Sequence, residues 1–192
     1  MARKYEFKPD KPRTSWISKL YLTQLQRAAL LKWVLYALTL LVLSVLQDVV
    51  LCQFRINGAT TELVPVAIIL ITIVEGSQQG SVFALIASAL YLFSGTAAGP
   101  YCLVFLTALS IFVCIFRQGY LRKGFAAAML CTGFAMFVYE LAVFAMGYFL
   151  GLTRLDRIVG FCITAGLSLI TVPILYPIIL SIGSIGGETW KE

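Results

Sequence analysis

Leu30-Leu31-Lys32-Trp33-Val34-Leu35-Tyr36-Ala37-Leu38-Thr39-Leu40-Leu41-Val42-Leu43-Ser44-Val45-Leu46-Gln47-Asp48-Val49-Val50-Leu51 is one apolar run, with a cation near its start and an acid near its end. As a helix rising about 1.5 Å per residue it is long enough for a hydrocarbon core of roughly 30 Å. It follows a polar lead and exceeds the roughly 7–15 residues of a signal-peptide core, and no small-residue cleavage pattern follows it. The run therefore predicts a retained membrane helix, and the rest of the chain is read outward from it.

Toward the N-terminus, residues 1–14 are polar, with Pro9 and Pro12, and predict a flexible tail. Residues 15–28 are amphipathic: Trp16, Ile17, Leu20, Tyr21 and Leu25 fall near one helical face, while Lys19 and Arg27 offer charge to anionic headgroups. An interfacial helix feeding the first span is expected there, the plainer alternative being an extension of that span. Residues 1–29 thus form a basic tail and interfacial helix ahead of a transmembrane domain at 30–182, and residues 183–192 form a C-terminal tail.

Toward the C-terminus, the polar stretch Gln53 to Thr61 carries the turn signal Asn57-Gly58. The apolar block 62–94 is broken at Glu75-Gly76-Ser77-Gln78-Gln79-Gly80. Its halves, 63–74 and 81–94, are short for full spans, so they predict either two spans completed by burial in the bundle or a re-entrant pair. Glu75 is expected at the surface and Gly76-x-x-x-Gly80 in a loop. A tight connection, Ser94 to Pro100, leads into a fourth span at 101–116, with further spans at 125–151 and 158–182. Pro173 and Pro177 fall inside the last and predict a bend, because each removes an amide donor and crowds the preceding turn.

The whole composition agrees: 60% of the 192 residues are hydrophobic and 12% are charged, about half the charge of an ordinary soluble domain. The fold class expected is all-α, a bundle of about six transmembrane helices. If the N-terminus lies inside, twelve basic residues face the cytoplasm and only Arg55, Arg154 and Arg157 face out. That bias predicts both termini in the cytoplasm and explains the formal charge of +6 as attraction to an anionic leaflet, leaving no call for nucleic-acid binding.

Chemistry-bearing patterns are sparse. There is no histidine, which removes the commonest general base and metal ligand. The five cysteines, 52, 102, 114, 131 and 162, form no CxxC pair and read as small apolar filler, with a Cys52–Cys102 disulfide the remote alternative. No GxxxxGK, paired acids or Ser/Lys dyad is present, so no enzyme, cofactor or metal is expected. Glu140, in the middle of the fifth span, is the sharpest signal: a carboxyl at that depth must face protein, water or a partner. It is a candidate partner or ligand contact, against the plainer reading of an interhelical hydrogen bond. Asp48 is a second candidate contact, against a capping or solvated role. Gly147 and Gly151 form a GxxxG pair suited to close helix packing.

Residues 47–117 carry a further pattern: Gln47-Asp48-Val49-Val50-Leu51, Phe54, Asn57-Gly58, Glu62-Leu63-Val64-Pro65, Glu75-Gly76-x-x-x-Gly80, then Ala84 through Ser94-Gly95-x-x-x-Gly99 and an apolar span closed by Arg117. This order resembles MreD, the small membrane subunit of the bacterial rod-shape machinery. Two features depart from that family: Glu62 precedes Pro65 where an acid usually follows the proline, and Tyr91 stands where an acid is often found late in the third span. The resemblance implies a non-catalytic scaffold of the inner (plasma) membrane. Its implied partners are an MreC-like single-span protein, the actin-like MreB filament, a RodA-type polymerase with its transpeptidase, and membrane lipid, and its implied task is to position sidewall peptidoglycan synthesis. The competing reading is the substrate-binding subunit of an energy-coupling-factor vitamin transporter, which has similar length and span number. Against it, Trp33 lies at the inner end and the first span lacks that family's small-residue docking pattern. An enzyme acting on lipid is a distant third, for want of candidate residues.

Overall fold

The computed structural model describes residues 24–53, 58–95, 97–120 and 124–185. The tail at 1–14, most of the amphipathic segment, Asn57, loop residues 121–123 and the tail from 186 lie outside the described residues. Six α-helices make up nearly all of the rest: α1 (Gln24–Val49), α2 (Leu63–Glu75), α3 (Ser77–Phe93), α4 (Tyr101–Tyr120), α5 (Phe125–Phe149) and α6 (Ile158–Gly183). The all-helical expectation holds among the described residues. Residues 24–28, expected in the interfacial helix, continue directly into α1.

The bundle is organised around α2. Every residue from Leu63 to Ile73 is buried, and α2 packs against all five other helices. Its sequence, LVPVAIILITIVE, is apolar on every side, the signature of a helix wrapped by protein rather than lying at a surface. Around it run α3, α4, α5 and α6 in sequential contact, with α1 completing the ring between α6 and α3. Side chains on the ring's outer surface are large and apolar: Leu38 and Leu41 on α1, Leu90 on α3, Phe112 on α4, Phe134 on α5, Ile170 and Ile174 on α6. Helices α1, α5 and α6 are each long and apolar enough to cross a membrane. Pro173 and Pro177 both lie within α6 on its exposed side, turned away from the bundle.

A single residue, Gly76, joins α2 to α3. Its φ of 93° is a conformation that side-chain-bearing residues rarely adopt. The chain reverses there, so that α2 and α3 lie antiparallel. Gly80, expected in a loop, instead sits in the first turn of α3, so close to α2 that a Cβ would stand 2.9 Å from the Thr72 carbonyl oxygen. The polar Gln78-Gln79 pair belongs to the first turn of α3, with both side chains exposed.

Glu75 also differs from its expected surface position. Its side chain is buried and accepts hydrogen bonds from Lys32 Nζ and Tyr36 Oη, each at 2.7 Å. Tyr36 is fully buried, and Trp33 and Phe83 pack against its ring. Gly183 of α6 lies where an added Cβ would meet Val74 and the Tyr36 hydroxyl. The start of α1 and the ends of α2 and α6 are thereby fastened at one end of the bundle. Part of the reason is geometric: a lysine three residues into an apolar run reaches inward when an acid is available to receive it. On the far side of α3, Ser88 and Thr107 exchange a hydroxyl hydrogen bond of 2.8 Å that ties α3 to α4.

Gly147 and Gly151 do not form a shared helix-packing face. Gly147 is buried in α5, but its nearest neighbour is the Thr153 side chain of the following connection. Gly151 lies past the end of α5 with φ of 71°, where it turns the chain. The helix ends two residues before the expected span, because Gly151 terminates it. Cys52 and Cys102 form no disulfide, the first being exposed and the second buried.

Candidate functional site

The site follows from a mismatch of lengths. Helix α2 has 13 residues, whereas α5 has 25 and α6 has 26. At about 1.5 Å per residue, α2 spans roughly 20 Å and its neighbours nearly twice that. Its C-terminal end is level with the end of α6 at Gly183. Its N-terminal end therefore stops partway up the bundle, beside Ser168 in the middle of α6.

A helix that begins inside a bundle leaves amide donors without water to satisfy them. Two neighbours supply acceptors. Gln47 Oε1 of α1 accepts from the amides of Leu63 and Val64 at 2.8 and 3.0 Å, and Ser168 Oγ of α6 accepts from the Glu62 amide at 2.9 Å. Gln47 and Ser168 are both buried. Sequence reasoning grouped Gln47 with Asp48 at the helix end and singled out only the acid. The signal that would have separated them is the absence of a Ser, Thr, Asp or Asn cap at position 62, which forces the cap to come from elsewhere. Asp48 itself is half-buried on α1 and makes none of these contacts.

Above the truncated end of α2 lies a cleft of about 680 Å³. The connection at 58–62 and the first turns of α6 form its walls, with Glu62 and Glu140 within and Asp156 and Arg157 also lining it. Glu140 is 3% exposed, and its Oε1 has no hydrogen-bond partner among the described residues. Glu62 is half-buried, with Oε2 shut from solvent and likewise unpartnered. The two carboxyl groups are within electrostatic reach of each other. The structure thus buries Glu140 in the bundle, where it lines both the cleft and a small second pocket between α5 and α6. Three further polar groups gather near Glu62: the Tyr91 and Tyr139 hydroxyls and the Cys102 thiol.

No cluster of three or more metal-ligating side chains occurs among the described residues. The chain has no histidine, and Lys32, the one lysine among the described residues, is paired with Glu75 at the other end of the bundle, away from the hydroxyls and thiol beside Glu62. What the cleft offers is a pair of carboxyl groups at depth, with apolar wall from Val159, Phe161 and Ile163. Comparison of the chain with protein-family models, with curated proteins and with solved structures returned no match of any kind.

Proposed function

We propose that this chain is a non-catalytic membrane scaffold of the MreD kind, a subunit of the bacterial elongation machinery that positions sidewall peptidoglycan synthesis. In this reading the protein is a multi-pass component of the inner membrane, all six helices cross the bilayer, and both termini are cytoplasmic. The shorter α2 and α3 complete their crossing through burial in the bundle and through local thinning of the bilayer. The cleft above α2 then opens on the outer side, and the Lys32–Glu75 end faces the cytoplasm.

The observation that carries the reading is the outward apolar surface of the ring, continuous from α1 through α6. Such a surface is far larger than the patches soluble monomers expose. In lipid it is available for lateral contact with other helices, where packing and not reaction is the work. Helix α1 is the most open part. It rests chiefly on α2, and between it and α3 runs an apolar groove of about 310 Å³ lined by Leu40, Leu41, Val45, Ala87 and Leu90. The order of residues 47–117 supplies the family, and with it the partners: an MreC-like single-span protein, the MreB filament and the RodA-type polymerase with its transpeptidase.

The test is isolation of the tagged chain from its native membrane in mild detergent. The scaffold reading expects a single-span partner and the polymerase to be recovered with it, and no stoichiometric vitamin. Recovery of transporter ATPases together with a bound vitamin would replace this reading with the second one, a substrate-binding transport subunit. The cleft is the specific observation that favours that alternative, since about 680 Å³ suits a small organic ligand.

A further inference from the structure

Two buried carboxyl groups share one cleft, and the sole ion pair among the described residues, Lys32 with Glu75, lies at the opposite end of the bundle. Glu62 stands at the head of α2, where the helix dipole offers about half a positive charge. That partial charge is already turned toward Gln47 Oε1, which takes the first two amides. Glu140 projects from α5, across from it, and receives nothing comparable. Arg157 lines the cleft but is exposed, and makes an ion pair with neither glutamate. Counting Asp156, three carboxyl groups face one guanidinium. An unpaired carboxylate taken out of water is costly and is relieved either by a proton or by a cation, and the open cleft gives a cation access to both acids.

We propose that the cleft above α2 is a binding site for an organic cation, a protonated amine or a guanidinium, held between Glu62 and Glu140. Two carboxyl groups, one from the residue ahead of α2 and one from α5, suit a donor with several N–H groups, which each oxygen can accept. Asp156 does not draw together with the two glutamates into the three-ligand cluster that a tightly bound metal ion would require. Val159, Phe161 and Ile163 provide apolar wall for the alkyl stem of such a cation. The cation has two sources with the same chemistry: a free small amine, or a lysine or arginine side chain of a protein segment entering from the loop side. The inference goes beyond the scaffold reading and depends on none of its named partners.

The experiment uses the full chain purified in detergent and four probes in equilibrium dialysis. Two are cationic: agmatine, and a capped tripeptide with arginine between two leucines. Two are their neutral counterparts: 1,4-butanediol, and the same tripeptide carrying citrulline. At least one cationic probe is expected to bind about ten-fold or more tightly than its counterpart, and Glu140→Gln and Glu62→Gln are each expected to erase that preference. Tighter binding of agmatine assigns the site to a free amine, and tighter binding of the peptide assigns it to a protein side chain. Equal binding of charged and neutral probes, or Gln variants that bind as the parent does, would overturn the proposal. Should a variant not fold, the unaltered chain gives the same answer through labelling of Glu140 by an apolar carbodiimide, read by mass spectrometry. A preferred cation must protect Glu140 where its neutral counterpart does not, and absence of protection overturns the site.

Discussion

The two ends of this bundle treat a buried acid in opposite ways. At one end Glu75 has Lys32 and Tyr36 at 2.7 Å each, under a cover of Trp33 and Phe83. At the other, Glu62 and Glu140 each keep an oxygen shut from water and unpartnered, beside a cleft. Equal residue types therefore carry different meanings. The acid that brings its own cation is a fastening between α1 and α2. The pair without one marks a place where something else belongs. Depth and residue identity do not separate these cases; the inventory of partners does.

The sharpest way to break the comparison is to remove the fastening's cation. Lys32→Met leaves Glu75 buried with only a tyrosine, and a buried charge stripped of its partner costs about 3–5 kcal/mol. The expected outcome is a large fall in the unfolding midpoint in detergent, with most of it restored by the double change Lys32→Met, Glu75→Leu. A smaller loss, about 1–3 kcal/mol, is expected for Gln47→Leu, which leaves the amides of Leu63 and Val64 without an acceptor. The same thermal measurement reads it, and Gln47→Glu is expected to lose less because it keeps the oxygen. The smallest effect sharpens the contrast. Glu140→Gln, measured without any added cation, is expected to leave the midpoint within about 0.5 kcal/mol of the parent or to raise it, since it removes a group with no partner to lose. A loss on the scale of Lys32→Met would show that Glu140 is a fastening too.

The helices were legible because each apolar run is long relative to what separates it from the next, so span positions at 30–51, 101–116, 125–151 and 158–182 lie close to α1, α4, α5 and α6. What escaped were features set by neighbours distant in the chain. Ser77-Gln78-Gln79-Gly80 looked like a loop because it is polar, yet Gly80 is small for the sake of Thr72 across the turn. Glu75 looked like a surface residue because it ends a run, yet Lys32 draws it inward. Glu140 was recognisable at the right depth, but Glu62 was not recognisable as its companion, since Glu62 reads as the polar edge of α2. Only the shortness of α2 brings the two into one space. That shortness was visible at 63–74, and it was read as a difficulty for spanning rather than as the origin of a cavity.

The enclosure of α2 also sets the order in which this protein becomes whole. Two of the helices that wrap it, α5 and α6, follow it in the chain only after α3 and α4 have been made. During translation the most apolar segment of the molecule must wait, partly uncovered, for walls not yet synthesised. A nascent chain halted before Phe125 would display that bare flank to the insertion machinery and to quality-control proteases, so the last third of the sequence acts as the seal on a helix made well before it.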